Sequence, residues 1–303
     1  MIDPPRPRRS GSPVRPDAGG YDWPAIAAIA TVHILAGVGV CWIPPTPQLL
    51  GVCAASYGLR MFGVTGGFHR YFAHRAFKTS RPLAFALAFL GGAAAQCGAL
   101  WWAGHHRDHH RFSDQPGDVH SPIQRGMLWA HIGWAMHKSA YATQWVNLPD
   151  WRGRPELEFL DRHHILPPIL WGLALWAVGG LPWVVWGMLV ATVGVWHGVF
   201  SINSLAHGFG TRRFATPDTS RNNALVAVLT LGEGWHNNHH HYQTAARHGW
   251  TWAEFDPTWW LLLVLERLGL IWQLRPVPER VWPGTAALAS PPVDKPAESS
   301  DNP

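Results

Sequence analysis

Three short segments of the chain repeat one side chain at close spacing: His69-Arg-Tyr-Phe-Ala-His74, His106-Arg-Asp-His109-His110 and His236-Asn-Asn-His239-His240. A fourth, Asn203-Ser-Leu-Ala-His207, follows a long apolar run. Positions i, i+3 and i+4 share a helical face, so the second and third boxes each present three converging imidazoles, and Asn203 lies one turn from His207. His69 and His74 are five apart and would diverge by about 140° on an ideal α-helix, which predicts that the first helix ends inside its box. Nine imidazoles and one amide can serve two six-coordinate metals and leave room for water or oxygen. Neutral imidazole suits iron, zinc, copper and nickel, so ligand type does not name the metal. Asp108, Asp114, Asp118 and Glu233 are available to accept the outer ring N–H groups and fix the tautomers. A lone histidine is usually structural, and His33, His163, His164, His197, His241 and His248 are read that way.

These boxes must be carried by a membrane protein. Of 303 residues, 47% are hydrophobic, 14% are charged and 20 are Trp, an excess that suits an interfacial aromatic belt. A mean hydropathy near zero averages polar tails and 19 His with apolar runs. A helix rises about 1.5 Å per residue across a hydrocarbon layer of about 30 Å, so a span needs roughly 20 apolar residues. Pro24–Ile43 and Gln48–Gly67 meet this across the stiff break Pro44-Pro45-Thr46-Pro47. Ile165–Phe200 contains no Asp, Glu, Lys or Arg. As one helix it would be roughly 54 Å long, so Gly179-Gly180 and Pro182 should divide it.

The polar segments His69–Arg81, His105–Asp118 and Gly232–His248 can share a site only from one side of the membrane. The apolar stretch Pro82–Ala103 between the first two therefore should not span. The expected fold is an all-α membrane protein: four transmembrane helices (24–43, 48–67, 165–180, 182–200) in two hairpins, an interfacial helix over 82–103, and a cytoplasmic helical cap holding a di-metal site. A single domain covers 21–275, with disordered segments at 1–20 and 283–303. Arg6, Arg8, Arg9 and Arg15 and the basic residues from Arg70 to Arg81 fit cytoplasmic flanks, with both termini and the site on that side, better than a nucleic-acid patch. Cys41, Cys53 and Cys97 lie in apolar runs and encode neither a disulfide framework nor a thiolate metal site. The N-terminal residues hold no cleavable signal peptide. Gly66-Gly67 and Gly91-Gly92 suit close helix packing. Arg60 is a charge deep in an apolar helix, with no partner evident from sequence.

From about Tyr57 to Leu274 the chain resembles the membrane fatty acid desaturase family, in its acyl-CoA delta-9 branch with bacterial members. The likeness rests on the His boxes with Gly63-Val-Thr-Gly-Gly ahead of His69, the Arg111-Phe-Ser-Asp114 extension and Gly232-Glu-Gly-Trp-His236. The resemblance implies di-metal ligands at His69, His74, His106, His109, His110, His207, His236, His239 and His240, with Asn203 acting through water. It also implies that Tyr57 and Met61 face the closed end of an acyl tunnel. Vertebrate relatives carry an acidic residue where this chain has His105. A bacterial inner (cytoplasmic) membrane location follows from the same likeness.

Taking hydrogen from an unactivated methylene is beyond acid–base catalysis and calls for a redox-active metal with dioxygen, which zinc cannot supply. Two iron ions (Fe2+/Fe3+) with O2 as co-substrate are expected, acting on a saturated acyl chain, most naturally acyl-CoA, to give a cis double bond. Met61 lies eight residues before His69, about 12 Å deeper along an α-helix, and its bulk suggests chains nearer sixteen than eighteen carbons. The chain has no ferredoxin-like cysteine set and no His-Pro-Gly-Gly segment of a fused cytochrome b5. A separate donor of ferredoxin, rubredoxin or cytochrome b5 type is therefore expected, docking near Arg70, Arg75, Lys78, Arg107 and Arg111. The rivals are a hydroxylase, ketolase or acetylenase of the same histidine-rich superfamily, and a non-enzymatic metal transporter or sensor.

Overall fold

The computed structural model describes residues 19–282, so the two terminal segments expected to be disordered lie almost wholly outside the described residues. Helix α1 (Trp23–Trp42) begins where the Asp22 carboxylate accepts the Ala25 N–H at 3.0 Å, and α2 (Pro47–Ala73) begins on a Thr46 cap. Both have Pro in the first turn, where its missing N–H costs nothing. These two helices and the run 166–208 are long and apolar enough to cross a membrane.

Helix α2 ends at Ala73, inside the first box as expected, but the box is not α-helical up to that point. From Gly63 to Ala73 it widens to i→i+5 hydrogen bonding, and the His74 N–H donates to His69 O at 3.1 Å. In that winding residues five apart stack as residues four apart do in an α-helix. Both imidazoles therefore reach one face, with ring centroids 4.9 Å apart. The wider turns also make Met61 less deep than the 12 Å expected.

The stretch 82–103 is not one helix. It is divided into α3 (Arg81–Gly92) and the first turn of α4 (Ala99–Phe112), which carries the second box. Between them Ala95 and Cys97 take left-handed φ of 55° and 60°. Side chains from elsewhere hold this strained corner. Trp196 Nε1 donates to Ala94 O and Ala95 O, at 3.0 and 3.1 Å. Arg60 donates to Ala93 O at 3.3 Å, and Asp161 accepts the Trp101 N–H at 2.7 Å, capping α4 from a distance. Gly63 and Gly91 permit the close α2–α3 approach: a Cβ on Gly63 would lie 2.4 Å from Gly91 N.

Past Met127–His131 (α5) and Pro155–Arg162 (α6), the long apolar run comprises α7 (Leu166–Trp183), a wide-wound turn Val184–Val190, and α8 (Ala191–Gly208). The chain breaks at Gly180, whose φ of 62° and ψ of −156° are non-helical. The unexplained Arg60 is fully buried and donates to Gly187 O (3.0 Å), Thr192 Oγ1 (2.6 Å) and Ser56 O (3.2 Å). Its partners are carbonyls and a hydroxyl, several at points where regular winding lapses. Satisfying them offsets part of the cost of burying the cation.

After the long run come α9 (Ala224–Leu229), α10 (His236–His241) and α11 (Pro257–Arg267), with a two-stranded antiparallel pair, β1 (Lys78–Thr79) and β2 (Ile271–Trp272), in register Lys78↔Trp272; the core around these elements is the largest apolar cluster near the boxes. The cluster packs Phe68, Phe72, Leu100, Leu148, Trp151 and Leu262 beneath the first two boxes, and Trp151 Nε1 donates to Phe72 O at 2.8 Å. That core fixes α2 against α4.

Candidate metal centre

The nine histidines of the boxes and α8 fall into two groups. His69, His74, His106, His110 and His239 form one, and His109, His207, His236 and His240 the other; within each group, one ligand atom per residue lies within 4.8 Å of all the others. In the first group Nε2 atoms face Nε2 atoms: His69–His239 at 3.0 Å, His239–His110 at 2.8 Å, His110–His106 at 3.0 Å and His106–His74 at 2.9 Å. His207 and His236 meet the same way at 3.1 Å.

Four of the nine outer nitrogens meet carboxylates, while His239 Nδ1 has no hydrogen-bond partner among the described residues. His69 Nδ1 meets Glu233, His109 Nδ1 lies 3.1 Å from Asp118, His207 Nδ1 3.1 Å from Asp114, and His240 Nδ1 2.5 Å from Asp218. A neutral imidazole giving its Nδ1–H to a carboxylate has only a lone pair at Nε2. That places a lone pair at Nε2 of His69 and of His207, each about 3 Å from the Nε2 of another ring, a position where a cation is favoured. At a metal–imidazole distance of about 2.1 Å, neighbouring ligands of an octahedral ion are about 3.0 Å apart, against about 3.4 Å for a tetrahedral one. The donor set therefore fits two metal ions, and the five imidazoles of the first group exceed the four ligands of a structural zinc site.

Electrostatics favour the neutral, ligating form for several of the rings, whereas for His109 burial is outweighed by Asp118 and its pKa is raised. Burial first, then neighbouring imidazoles, push His106, His110, His236 and His239 well below the ordinary histidine value. For Glu233 burial works against ionisation, but His248, His69 and Arg70 outweigh it and hold the carboxyl well down. Asp114, Asp118 and Asp218 are likewise lowered, their histidine partners overcoming burial.

Three of the four acids expected at the outer nitrogens are there. Asp108 instead lies 3.7 Å from Arg111. Asp218, in a polar loop with no motif, was not legible from sequence, nor was Thr219, which donates to Asp114 at 2.6 Å from its hydroxyl. His248, read as an isolated structural histidine, is 3.2 Å from Glu233 with its ring 4.4 Å from that of His239. His120 was also missed; it is 3.4 Å from Asp118 and pushed down to about 3 by burial. Asn203 is half-buried one turn from His207, and its amide makes no hydrogen bond among the described residues. His105 faces away, toward Ala142 O at 3.0 Å.

The basic face expected for carrier docking is largely engaged internally. Arg70 is fully buried between Glu233 (3.0 Å) and Asp256 (2.8 Å). Arg107 pairs with Asp150 at 2.7 Å, and Arg75 lies over Trp151. Arg111 and Lys78 are exposed.

A mainly apolar cavity of about 420 Å3 runs between α1, the 93–98 corner and α8, bounded by Ile29, Val32, Gln96, Trp134, Trp196 and Phe200 among others; none of the nine histidines lines it, and the Trp134 ring lies 5.3 Å from His120, whose ring is 4.5 Å from that of His109. Gln96 Nε2 and Trp134 Nε1 have no hydrogen-bond partner among the described residues. Tyr57 and Met61 do not line it. They lie one layer behind, where Met61 is fully buried with Val64, Ala94, Val195 and Val199.

Residues 45–263 match the model of a family described as fatty acid desaturase. The chain is 39% identical over 264 residues to an acyl-CoA C20 Delta5-desaturase of Anemone leveillei, covering 84% of this chain and 82% of the relative. It is 37% identical over 264 residues to an sn-1 stearoyl-lipid 9-desaturase of Synechocystis, covering 85% and 81%. To a hex-5-enoyl acyl-carrier-protein acetylenase of Moorena producens it is 35% identical over 273 residues, covering 83% of each.

Proposed function

The chain belongs to the fatty acid desaturase family, an oxidoreductase family acting on fatty acyl chains in a membrane setting, and from that premise we propose that it is an O2-dependent, di-iron desaturase that introduces a cis double bond at delta-9 of a saturated acyl chain. The observation that carries this reading is the pair of imidazole groups, backed by carboxylates and set beside an apolar cavity. The ligands are His69, His74, His106, His110 and His239 for one iron and His109, His207, His236 and His240 for the other, with Asn203 acting through water. When bound, the irons supply the oxidising power that no side chain has, using dioxygen and two electrons from a separate carrier.

The chain's own residues do the rest. Glu233, Asp118, Asp114 and Asp218 hold the imidazoles in one tautomer and orientation. Apolar walls align the acyl chain and keep bulk water from the reacting methylenes. Met61 and Tyr57, one layer behind the cavity wall, limit how far its end can extend toward α2. The long run crosses the membrane twice, turning at Gly180, so four crossings in two hairpins leave all three boxes in a cytoplasmic cap. Lys78 and Asp114 then share one face, which double-sided cysteine labelling checks.

The substrate form is taken as the CoA thioester; relatives named for lipid and carrier-protein substrates make those forms the parallel arms of the test. Fatty acids of a desaturase-deficient host expressing the chain, and products of purified protein with each substrate form, should show loss of two hydrogens at delta-9, with none from His109→Ala. Gain of an oxygen atom would point to the hydroxylase alternative. Turnover without reductant or O2 would refute the proposal.

A further inference from the structure

Three histidines outside the metal groups form a line of their own. His33 of α1 places Nδ1 2.7 Å from Ile29 O and Nε2 3.0 Å from His197 Nε2 of α8. His197 Nδ1 lies 2.9 Å from His131 Nε2 of α5, and His131 Nδ1 lies 3.0 Å from the Ser204 hydroxyl. Ser204 in turn donates to Phe200 O at 3.0 Å. The other groups against these rings are Trp196 and Phe200; among the described residues no carboxylate or further cation reaches them.

Counting hydrogens exposes a mismatch. The line has five links and ends at both extremes on carbonyl oxygens, which only accept. Three neutral imidazoles and one hydroxyl carry four hydrogens. If Ser204 donates to Phe200 O, His131 must donate to Ser204 and His197 to His131. His33 donates to Ile29 O. Two lone pairs then face each other between His33 and His197, and a proton turns that contact into an ordinary N–H···N bond. Unlike the metal groups, no third ligand atom converges on this point, so a metal ion has no set to complete.

We propose that His33, His197 and His131 hold one proton beyond those of three neutral imidazoles, on a line running from α1 through α8 and α5 to Ser204, on the helix that carries Asn203 and His207. Ser204 follows Asn203 and precedes His207 by three residues. The use of that proton rests on the desaturase reading. Reducing O2 to two waters, with two hydrogens from the acyl chain and two electrons from the carrier, takes up two protons per double bond. The line supplies one of the two: the Ser204 hydroxyl gives a proton to a water molecule, His131 refills the hydroxyl, and each hydrogen moves one link, leaving three neutral imidazoles; the second proton comes from solvent. A second water molecule returns a proton to the line.

The test counts protons and does not depend on turnover. Full-length chain labelled with 15N-histidine, loaded with diamagnetic zinc and held in lipid nanodiscs, is compared with His33→Leu and His131→Phe by 15N NMR at pH 7.5. An ordinary imidazole is about nine-tenths neutral there. Either substitution removes the surplus link, so wild type should show one more doubly protonated ring per chain than either variant, after correcting for the histidine replaced. Zinc content reports folding, and the wild-type count stands alone if a variant misfolds. Equal counts, or no doubly protonated ring in wild type, overturn the proposal whatever the outcome of product analysis.

Discussion

Met61→Ala should lengthen the preferred acyl chain. Met61 is fully buried, and its Cε lies 2.9 Å from where a Cβ on Gly198 would stand, so its tip fills the gap between α2 and α8. Alanine removes three side-chain heavy atoms, room for about two further methylenes. Each buried methylene contributes about 0.8 kcal/mol, so two favour an eighteen-carbon over a sixteen-carbon chain by about 1.6 kcal/mol, a shift of roughly fifteenfold in the ratio of kcat/KM. The assay offers both chains at equal concentration and measures both products by gas chromatography, alongside iron content and Tm, since an unfilled cavity there costs about 2–5 kcal/mol of stability. A ratio within about twofold of wild type, in protein retaining its iron, would refute the placement of Met61 at the tunnel end.

The reverse change follows from the same contact: Gly198→Ala should push Met61 and Tyr57 toward α2 and shift products to shorter chains, read in the same competition. Asp218→Asn should weaken iron binding about 10–100-fold by loosening His240, measured as iron retained against a chelator series. Metal-free protein should lose stability in acid. His240 and His248 are pushed down to about 4, chiefly by burial, from the usual 6.5. The unfolded chain thus binds protons that the folded one refuses, and stability is full above about pH 6.5 and falls below it, by about 1.4 kcal/mol for each at pH 5.5. An apo-protein Tm that is flat between pH 8 and 5.5 would contradict this.

Much of the site was legible because ligand chemistry repeats at helical spacing, and the second and third boxes needed only α-helices to converge. His69 and His74 did not follow that rule. Their convergence depends on wide winding set by packing of Gly63 and Phe68 against α3, which local periodicity does not encode. The break between α3 and α4 was hidden for a similar reason: Ala95 and Cys97 are not turn formers, and Arg60, Trp196 and Asp161 hold the corner from other elements. Asp218 and His248 reach the site through loops whose path only the tertiary fold fixes. Arg70 misled because a cation beside a ligand reads as surface charge until Glu233 and Asp256 are seen around it.

Metal analysis of purified, active protein, with Mössbauer spectroscopy of 57Fe-enriched samples, bears most directly on the two imidazole groups. About two irons per chain are expected, in nitrogen-rich six-coordinate sites, with a marked loss when His110→Ala opens the first group or His240→Ala the second. Active protein carrying no iron, or either variant keeping both irons and full product, would contradict a two-iron centre held by these nine histidines.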